Sequence, residues 1–318
     1  MSELAKLDII VLAGGISHER DVSLRSGRRV ADALTSHGHT VTVLDPQAGL
    51  LADLTHRRPD VIWPVVHGAT GEDGALLALL ETTGIPHVGS RGGPAGLAWS
   101  KPTAKELVRR AGYPTPDWIA LSKETFRDLG AASVLEHVLS ALPTPLVVKP
   151  AEGGSAQGVT IVETSAELPR AMVDAYTYAS VALVEEKVNG TELAVTVIDT
   201  GDGPRALTSV EIVPLVGVYS FEARYNAGDT LFYAPARISP EVAARVAETA
   251  VAVHTLLGLR HISRIDLIVD EDGTPWFLEA NVLPGLTETS LVPQSIEASG
   301  QSLGAVYEAL AQAALAGN

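Results

Sequence analysis

The sequence predicts an α/β N-terminal domain with a parallel sheet, followed by an α+β region made of two further units. Short runs rich in valine and isoleucine that end at glycine or proline alternate with alanine-rich amphipathic stretches, the pattern of α/β folds. Later in the chain, strand-like runs flank Asn189-Gly190 and Asp272-Gly273, residue pairs that favour two-residue hairpins. We therefore expect units at residues 1–100, 101–188 and 189–318.

Composition restricts the class of protein and its partners. The chain has 318 residues, of which 46% are hydrophobic and 19% charged, as in folded globular proteins. Its net charge of -15 argues against a nucleic-acid partner, because phosphate backbones bind basic surfaces. Cysteine is absent, which excludes disulfides, thiolate catalysis and cysteine-ligated metals. Since no signal-peptide pattern and no apolar run of about twenty residues occur, we expect a cytoplasmic protein without a membrane partner.

The first predicted strand, residues 7–12, ends in Gly14-Gly15 and is followed by a helix over 22–36 and a strand over 40–44. The spacing G-x-G-x-x-G is missing, which disfavours a nicotinamide-dependent oxidoreductase. Loops after strands of open sheets bind ligands, so Glu19 is a candidate contact. An acidic residue favourable to the helix dipole is an equally good explanation of Glu19.

The next predicted unit has a strand over 61–66, a glycine-rich loop over 67–74, a helix over 75–83 and a short strand over 85–88. Glycines in such a loop allow backbone N–H groups to approach a ligand. His67 is therefore either a site residue or a loop histidine satisfied by its neighbours.

A second glycine-rich loop, residues 151–158, lies between predicted strands at 146–149 and 159–162. It is not a Walker A loop, because G-x-x-x-x-G-K-[ST] is absent. A flap over phosphates and an ordinary hairpin loop both fit this pattern. Lys149, at the end of the first strand, favours phosphate binding.

Strands are predicted at 181–188 and 192–198, joined as a hairpin through Asn189-Gly190. Glu185 and Glu192 on these strands could bind a sugar hydroxyl or an amine, or could face solvent. The aromatic segment that follows, from Tyr219 to Arg237, predicts either a lid that excludes water or the packing of an edge strand.

The segment from Ser263 to Leu283 predicts a hairpin whose turn is Asp272-Gly273. Counting back from that turn places Asp266 opposite Glu279 and Arg264 opposite Asn281, all on one face. Ile268 and Phe277 are assigned to the same face, which therefore does not resemble a solvated one.

Two opposed carboxylates on one face of a strand pair repel each other unless a cation lies between them. An Asp, a Glu and an Asn offer only oxygen atoms, and Mg²⁺ prefers such ligands together with substrate phosphates. A plain surface hairpin with solvated charges is the alternative. Arg264 adds a permanent positive charge that suits a phosphate or an oxyanion.

Five separated motifs together resemble the D-alanine–D-alanine ligase family of the ATP-grasp superfamily. They are GGISHERDVSL (14–24), HGATGEDG (67–74), LVVKPAEGGSAQG (146–158), FEARY (221–225), and RIDLIVD with FLEANVLPGLTETSLVP (264–293). The resemblance spans nearly the whole chain in order. It implies an N-terminal pre-ATP-grasp domain followed by a two-part ATP-grasp fold.

The resemblance implies a nucleotide site and a metal site. It assigns two Mg²⁺ ions, with Mn²⁺ as a possible substitute, to Asp266, Glu279 and Asn281. The residues implied in ATP binding are Lys101 and Lys149 at the phosphates, Gly153, Gly154 and Ser155 in the flap, Glu185 and Glu192 at adenine and ribose, Glu186, Lys187 and Val188 beside the base, and Arg224 in the lid.

The resemblance also implies the amino-acid sites. Glu19 would bind the ammonium of the first D-alanine, with Ser155 and Tyr225 as its hydrogen-bonded partners. The oxyanion site would be formed by Arg264 and the backbone N–H of Gly285. Ser290 with Leu291 would bind the carboxylate of the second D-alanine.

The implied activity is ATP-dependent formation of D-alanyl-D-alanine through an acyl phosphate, for peptidoglycan precursors. The resemblance also implies a homodimer, because the family is usually dimeric. The alternative is a ligase of other small D-amino or hydroxy acids, which Val282 and Leu286 leave open because the family usually has Thr and Met there. Tyr225 favours an amine acceptor. A non-catalytic nucleotide-binding module is a third possibility, which the complete set of motifs disfavours.

Overall fold

A computed structural model of the chain describes residues 6–215 and 229–317. The strands within these ranges form three sheets, with the order β2-β1-β3, β4-β7-β5-β6 and β11-β10-β8-β12-β13, where β9 pairs with β8. The strands are β1 Asp8–Leu12, β2 Thr40–Leu44, β3 Val61–Pro64, β4 Trp118–Ser122, β5 Leu146–Pro150, β6 Thr160–Val162, β7 Val181–Glu186, β8 Thr191–Ile198, β9 Arg205–Ala206, β10 Val210–Pro214, β11 Thr230–Tyr233, β12 Ile262–Val269 and β13 Pro275–Asn281.

The helices of the described residues cover the sheets and link them. They are α1 Arg20–Ser36, α2 Leu50–Arg57, α3 Ala69–Glu72, α4 Ala75–Glu81, α5 Gly92–Trp99, α6 Lys101–Arg110, α7 Lys123–Asp128, α8 Ala131–Ala141, α9 Leu168–Tyr178, α10 Pro240–Leu256, α11 Leu291–Ala298 and α12 Leu303–Leu315. Across residues 6–215 and 229–317, no helix has both the length and the apolar character needed to cross a membrane.

The first sheet is parallel, as predicted: its central strand β1 is apolar and almost entirely buried, and helices connect the three strands. The strand predicted at 85–88 is wrong, since only one bridge, between Ile62 and His87, joins this segment to β3. Pro86 has no N–H to donate, and Gly89, with a φ of 100°, turns the chain away after that single pair.

The second sheet is antiparallel and carries the glycine-rich flap between β5 and β6. Its core is made by apolar side chains of α8 and α9 against the strands, including Leu146, Val148 and Val184. The flap therefore connects two paired strands whose inner face is buried in this core. Within the flap, the N–H of Gln157 donates to the carbonyl oxygen of Gly154 at 3.3 Å, and the Nζ of Lys101 donates to the carbonyl oxygen of Gly153 at 2.7 Å.

The predicted hairpin through Asn189-Gly190 is wrong. β7 pairs with β4 and β5, whereas β8 pairs with β9, β10 and β12, so the chain passes between two sheets at this point. The glycine serves a close approach instead of a turn, because a Cβ atom on Gly190 would lie 2.1 Å from the carbonyl oxygen of Val269. A glycine in the sequence is equally compatible with a tight turn and with a close backbone approach, so the sequence alone did not distinguish them.

β12 and β13 form the predicted antiparallel pair, with Asp266 opposite Glu279 and Arg264 opposite Asn281. The two-residue turn is wrong, since the last pair is Val269 with Pro275 and the loop between them is longer. A bulge then leaves one residue of β13 unpaired between Asp266 and the next pair, which restores the predicted register.

The bulged residue is Leu278, and it reverses the predicted side of Phe277. Phe277 pairs with Leu267 and both are fully buried in the core, so the assignment of Phe277 to the carboxylate face is wrong. Ile268 does lie with the carboxylates, because it lines the same cavity as Asp266.

The C-terminal helices pack back on the beginning of the chain. Val306, Tyr307 and Leu310 of α12 belong to one buried cluster with Ile9 and Trp63 of the first sheet. The Trp63 and Tyr307 rings meet edge to face with centroids 5.3 Å apart. The first sheet is therefore covered by α1 and by helices from the other end of the sequence.

Candidate active site

A cavity of about 540 Å³ lies between the second and third sheets, beneath the flap. This volume is within the range of small-molecule sites. Nine residues assigned to ATP line it, namely Lys101, Lys149, Gly153, Gly154, Glu185, Glu186, Lys187, Val188 and Glu192. Ser155 lies beyond its inner end, and Arg224 and Tyr225 lie outside the described residues.

The lining of this cavity is of two chemical kinds. Val147, Ile161 and Val188 are apolar and can enclose a planar apolar group. Lys101, Lys149, Asp266 and Glu279 carry charges of both signs. A molecule with a flat ring system and an anionic tail matches this division, because the ring gains apolar contact and the tail meets ammonium groups.

Lys149 reaches the cavity from β5 and is held by a buried carboxylate. Its Nζ lies 2.5 Å from Oε1 of Glu185, whose other oxygen lies 3.1 Å from Nζ of Lys105. Burial alone would raise the pKa of Glu185, but Lys149 and Lys105 outweigh it and the pKa is lowered. Burial lowers the pKa of Lys105 to about 8, against the attraction of Glu185. Sequence reasoning missed Lys105.

Of the residues assigned to Mg²⁺, Asp266 and Glu279 line the large cavity, and Asn281 lies two residues after Glu279 on β13. Asp266 accepts two hydrogen bonds from Arg264, at 2.7 Å each, and Glu279 lies 3.3 Å from Nζ of Lys101. The amide oxygen of Asn281 accepts from the N–H of Leu283 at 2.9 Å. The two carboxylates therefore face cations of the protein itself in this structure.

The geometry of these side chains bears on whether they can bind Mg²⁺. Over the part of the chain that is described, no cluster of three or more His, Cys, Asp or Glu side chains could hold a metal unaided. Two opposed carboxylates and an amide oxygen nonetheless fit the usual Mg²⁺ site, in which one or two carboxylates act together with substrate phosphates and water. The residues present therefore fit the ion.

A smaller cavity of about 60 Å³ shares the flap residue Gly154 with the large cavity. It brings together the six described residues assigned to the amino acids, namely Glu19, Ser155, Arg264, Gly285, Ser290 and Leu291, and its wall also includes His67 and Glu72. The six come from the position just before α1, the flap, β12, the loop before α11 and the start of α11, which are distant in sequence.

Ser155 connects the flap to the N-terminal domain, because its hydroxyl donates to Oε1 of Glu19. Glu19 precedes the first residue of α1, which begins at Arg20 instead of the predicted Val22. Ser155 and Ala156 have φ values of 53° and 54°, in the left-handed region that non-glycine residues rarely adopt. Strained backbone of this kind clusters at ligand-binding loops.

His67 braces the loop that carries Gly285. Its Nδ1 lies 3.0 Å from the carbonyl oxygen of Leu283, which can only accept, so Nδ1 carries the proton. Its Nε2 then accepts from the hydroxyl of Ser26 at 3.2 Å, and that hydroxyl oxygen accepts from the N–H of Leu286 at 3.1 Å. Burial lowers the pKa of His67, against the attraction of Glu19.

Glu72 is a buried group of this cavity that sequence reasoning missed. It is 6% exposed and accepts a hydrogen bond from the N–H of Gly68 at 3.3 Å. Burial, followed by repulsion from Glu19, raises the pKa of Glu72 to about 8. Its position in the HGATGEDG motif was the available signal. That motif alone does not reveal that the side chain turns inward.

Gly285 and Ser290 shape the far end of the small cavity. A Cβ on Gly285 would lie 2.8 Å from Oγ of Ser290, so the backbone can pass there only without a side chain. Oγ of Ser290 accepts from the N–H of Thr287 at 3.0 Å. This hydrogen bond joins two residues of the loop immediately before α11.

The large cavity has a further wall that the motifs did not indicate. Arg237 donates to both oxygens of Glu211, at 2.7 and 2.9 Å, and both residues line the cavity. The guanidinium also lies 3.6 Å from the centre of the Tyr233 ring. Tyr233 is in edge strand β11, so this end of the segment predicted as a lid or an edge strand is a strand.

Comparison with known proteins agrees with this architecture. The profile described as "D-ala D-ala ligase C-terminus" matches residues 107–312. A D-alanine–D-alanine ligase of Anaeromyxobacter sp. (strain Fw109-5) is 42% identical over 288 residues, 90% of each chain. The D-Ala:D-Ser ligase VanG of Enterococcus faecalis superposes with a TM-score of 0.84 at 26% identity, over 98% of this chain and 100% of that one.

A D-alanine–D-alanine ligase of Bacillus anthracis, solved in complex with ATP, superposes with a TM-score of 0.81 at 28% identity, over 98% of each chain. The three sheets and the cavity between the second and third define an ATP-grasp fold, as the resemblance implied. Within that class, the chain belongs to the D-alanine–D-alanine ligase family.

Proposed function

We propose that the protein is an ATP-dependent ligase that joins two D-alanine molecules into D-alanyl-D-alanine, a precursor of peptidoglycan. One observation carries this proposal: Asp266 and Glu279 face each other in the wall of the large cavity, and the neighbouring pair on the same two strands, Arg264 and Asn281, lines the small cavity. A phosphate chain entering from the first cavity would meet a carboxylate bound in the second at this point. The relatives named above support the choice of D-alanine.

In the first step, the carboxylate of one D-alanine attacks the γ-phosphorus of ATP, and the bond to the leaving ADP breaks. A free carboxylate is a poor acylating agent, and the resulting acyl phosphate is a good one. Lys101 and Lys149 supply positive charge at the phosphate end of the cavity, and the flap at Gly153 and Gly154 closes over it. Glu19, beside Ser155, would hold the ammonium of the same amino acid.

In the second step, the amine of the other D-alanine, after losing a proton, attacks the acyl carbon and inorganic phosphate leaves. The tetrahedral oxyanion would be met by Arg264 and by the N–H of Gly285, donors that typically contribute a few kcal/mol each. Ser290 would hold the carboxylate of this second amino acid. All three border the small cavity.

Mg²⁺ would be held by Asp266, Glu279 and Asn281. When bound it would neutralise charge on the phosphates, and the family resemblance implies two such ions, which Mn²⁺ could replace. In the present structure Asp266 is paired with Arg264. Metal binding at Asp266 would therefore loosen this pair and leave the guanidinium for the oxyanion.

The remaining proposals concern organisation. The three units at 1–100, 101–188 and 189–318 are supported by the separate sheets, although α12 packs against the first unit. We place the reaction in the cytoplasm, where ATP is available. A homodimer is proposed from the family resemblance alone.

The test is to incubate the protein with Mg²⁺ and ATP and with D-alanine, L-alanine or D-lactate, and to follow phosphate release and product mass. We expect release with D-alanine and a dipeptide product, with little release in the presence of L-alanine. Reactions without an amino acid give the background. Release with D-lactate and D-alanine together, but not with D-alanine alone, would overturn the proposed acceptor, and no release with any substrate would overturn the activity.

A further inference from the structure

The buried side chain of Lys105 lies behind the nucleotide cavity without lining it. Lys105 is on α6, one turn after Lys101, and is fully buried. A buried ammonium is costly unless it is paired and hydrogen-bonded. Its surroundings therefore indicate what the charge does.

The ammonium of Lys105 is part of a chain of contacts that runs from β13, the strand that carries Glu279, to Lys149 in the large cavity. Nζ donates to Oγ1 of Thr115 at 2.7 Å, and that hydroxyl donates to the carbonyl oxygen of Phe277 on β13 at 2.8 Å. On its other side Nζ faces Glu185, which contacts Lys149. The ring centre of Trp118 lies 5.1 Å away.

The charges of Lys105, Glu185 and Lys149 indicate what Lys105 does. With both lysines charged, the group of Lys105, Glu185 and Lys149 carries one net positive charge, and only Lys149 and Glu185 border the cavity. Without Lys105, Lys149 would be the one ammonium in contact with the buried carboxylate of Glu185 among the described residues. Glu185 would also hold Lys149 more strongly.

We infer that Lys105 is a positioning residue for ATP, which neutralises Glu185 from behind so that the charge of Lys149 stays available to the phosphates. This inference rests on the proposed function, because it needs ATP in the large cavity. It concerns a side chain that touches no part of the nucleotide. Its effect is on nucleotide affinity, so the D-alanine sites should be unaffected.

The test is calorimetric titration of the full-length protein with ATP and Mg²⁺. Lys105→Met keeps the length of the side chain and removes its charge, and we expect ATP to bind at least about tenfold more weakly, as when one partner of a buried charge pair is removed. The KM for D-alanine should stay unchanged. Lys123→Met, at an exposed lysine of α7, is the control and should bind ATP normally.

A second pair of variants separates positioning from packing, and remains informative if Lys105→Met alone does not fold. Once Glu185→Gln has removed the carboxylate, Lys105 has nothing to neutralise, so Glu185→Gln and the double variant should bind ATP within about twofold of each other. A double variant that binds about tenfold more weakly than Glu185→Gln would overturn the inference. So would normal ATP binding by Lys105→Met, whereas failure of the unmodified protein to bind ATP would instead overturn the proposed function.

Discussion

Glu72 allows a quantitative prediction, because its carboxyl group is buried beside Glu19 without a cation in hydrogen-bonding contact among the described residues. Its pKa rises from 4.5 to about 8 on folding. Between these two values the folded protein keeps a proton that the unfolded chain has lost. The stabilisation linked to that proton is complete below the unfolded pKa and is lost as the pH rises through the folded pKa.

The magnitude follows from proton linkage. One proton held only by the folded state lowers the free energy of unfolding by roughly 1–2 kcal/mol per pH unit within this window. Glu72→Gln keeps the shape and the acceptor for the N–H of Gly68 but has no proton to lose. From pH 7 to pH 8, the free energy of unfolding of Glu72→Gln should therefore rise relative to that of the unmodified protein by roughly 1 kcal/mol.

The assay is urea denaturation without ligands, followed by circular dichroism at several pH values. The window from pH 7 to pH 8 is chosen because burial lowers the pKa of His67, so that this neighbour is neutral in the folded protein there. Glu136→Gln, at an exposed position of α8, is the matched control and should give a curve parallel to that of the unmodified protein. Parallel curves for Glu72→Gln as well would refute the reasoning.

Three further predictions concern other parts of the structure. Glu279→Gln removes one carboxylate charge from the proposed metal site at nearly constant shape, so phosphate release should almost disappear. Glu288→Gln, at an exposed position of the loop before α11, should keep it. Near-normal turnover of Glu279→Gln would contradict the metal assignment. Ser26→Ala leaves the N–H of Leu286 without its buried acceptor, which typically costs about 1–3 kcal/mol. Steady-state kinetics of this variant should show a lower kcat with an unchanged KM for ATP. Ser36→Ala, on the exposed side of α1, should change neither constant. Gly190→Ala would bring a methyl group within 2.1 Å of the carbonyl oxygen of Val269, and should lower the thermal unfolding midpoint through about 1–3 kcal/mol of overpacking. Gly93→Ala, whose added methyl meets nothing within 4 Å outside its own helix, should leave the midpoint unchanged. An unchanged midpoint for Gly190→Ala would show that this segment can move away from Val269 without cost.

The pairing of the carboxylate strands shows how far the sequence can lead. Alternation of side chains and an Asp-Gly signal were enough to place Asp266 opposite Glu279. The loop proved longer than the predicted turn, and the bulge at Leu278 compensated for the difference. A bulge has no distinct signature in a run such as FLEAN, so the correct register was reached although the geometry behind it was wrong.

The parts that could not be predicted depend on contacts between distant segments. Gly190 gave a turn signal, but its reason is the approach of Val269 from another strand. The spacing of Lys101 and Lys105 places both on one helix face, yet nothing local indicates that Glu185 receives the second lysine. Glu72 likewise became recognisable only when α3 and the flap were seen around one cavity.

The position of α12 has a consequence for the order of events during protein synthesis. Tyr307 and Leu310 complete the hydrophobic core around Ile9 and Trp63, and the ribosome makes them long after those two residues. The nascent N-terminal sheet therefore has an apolar face uncovered until α12 has been synthesised. Molecules truncated before Leu303 would lose this cover and should be substrates for chaperones and proteases.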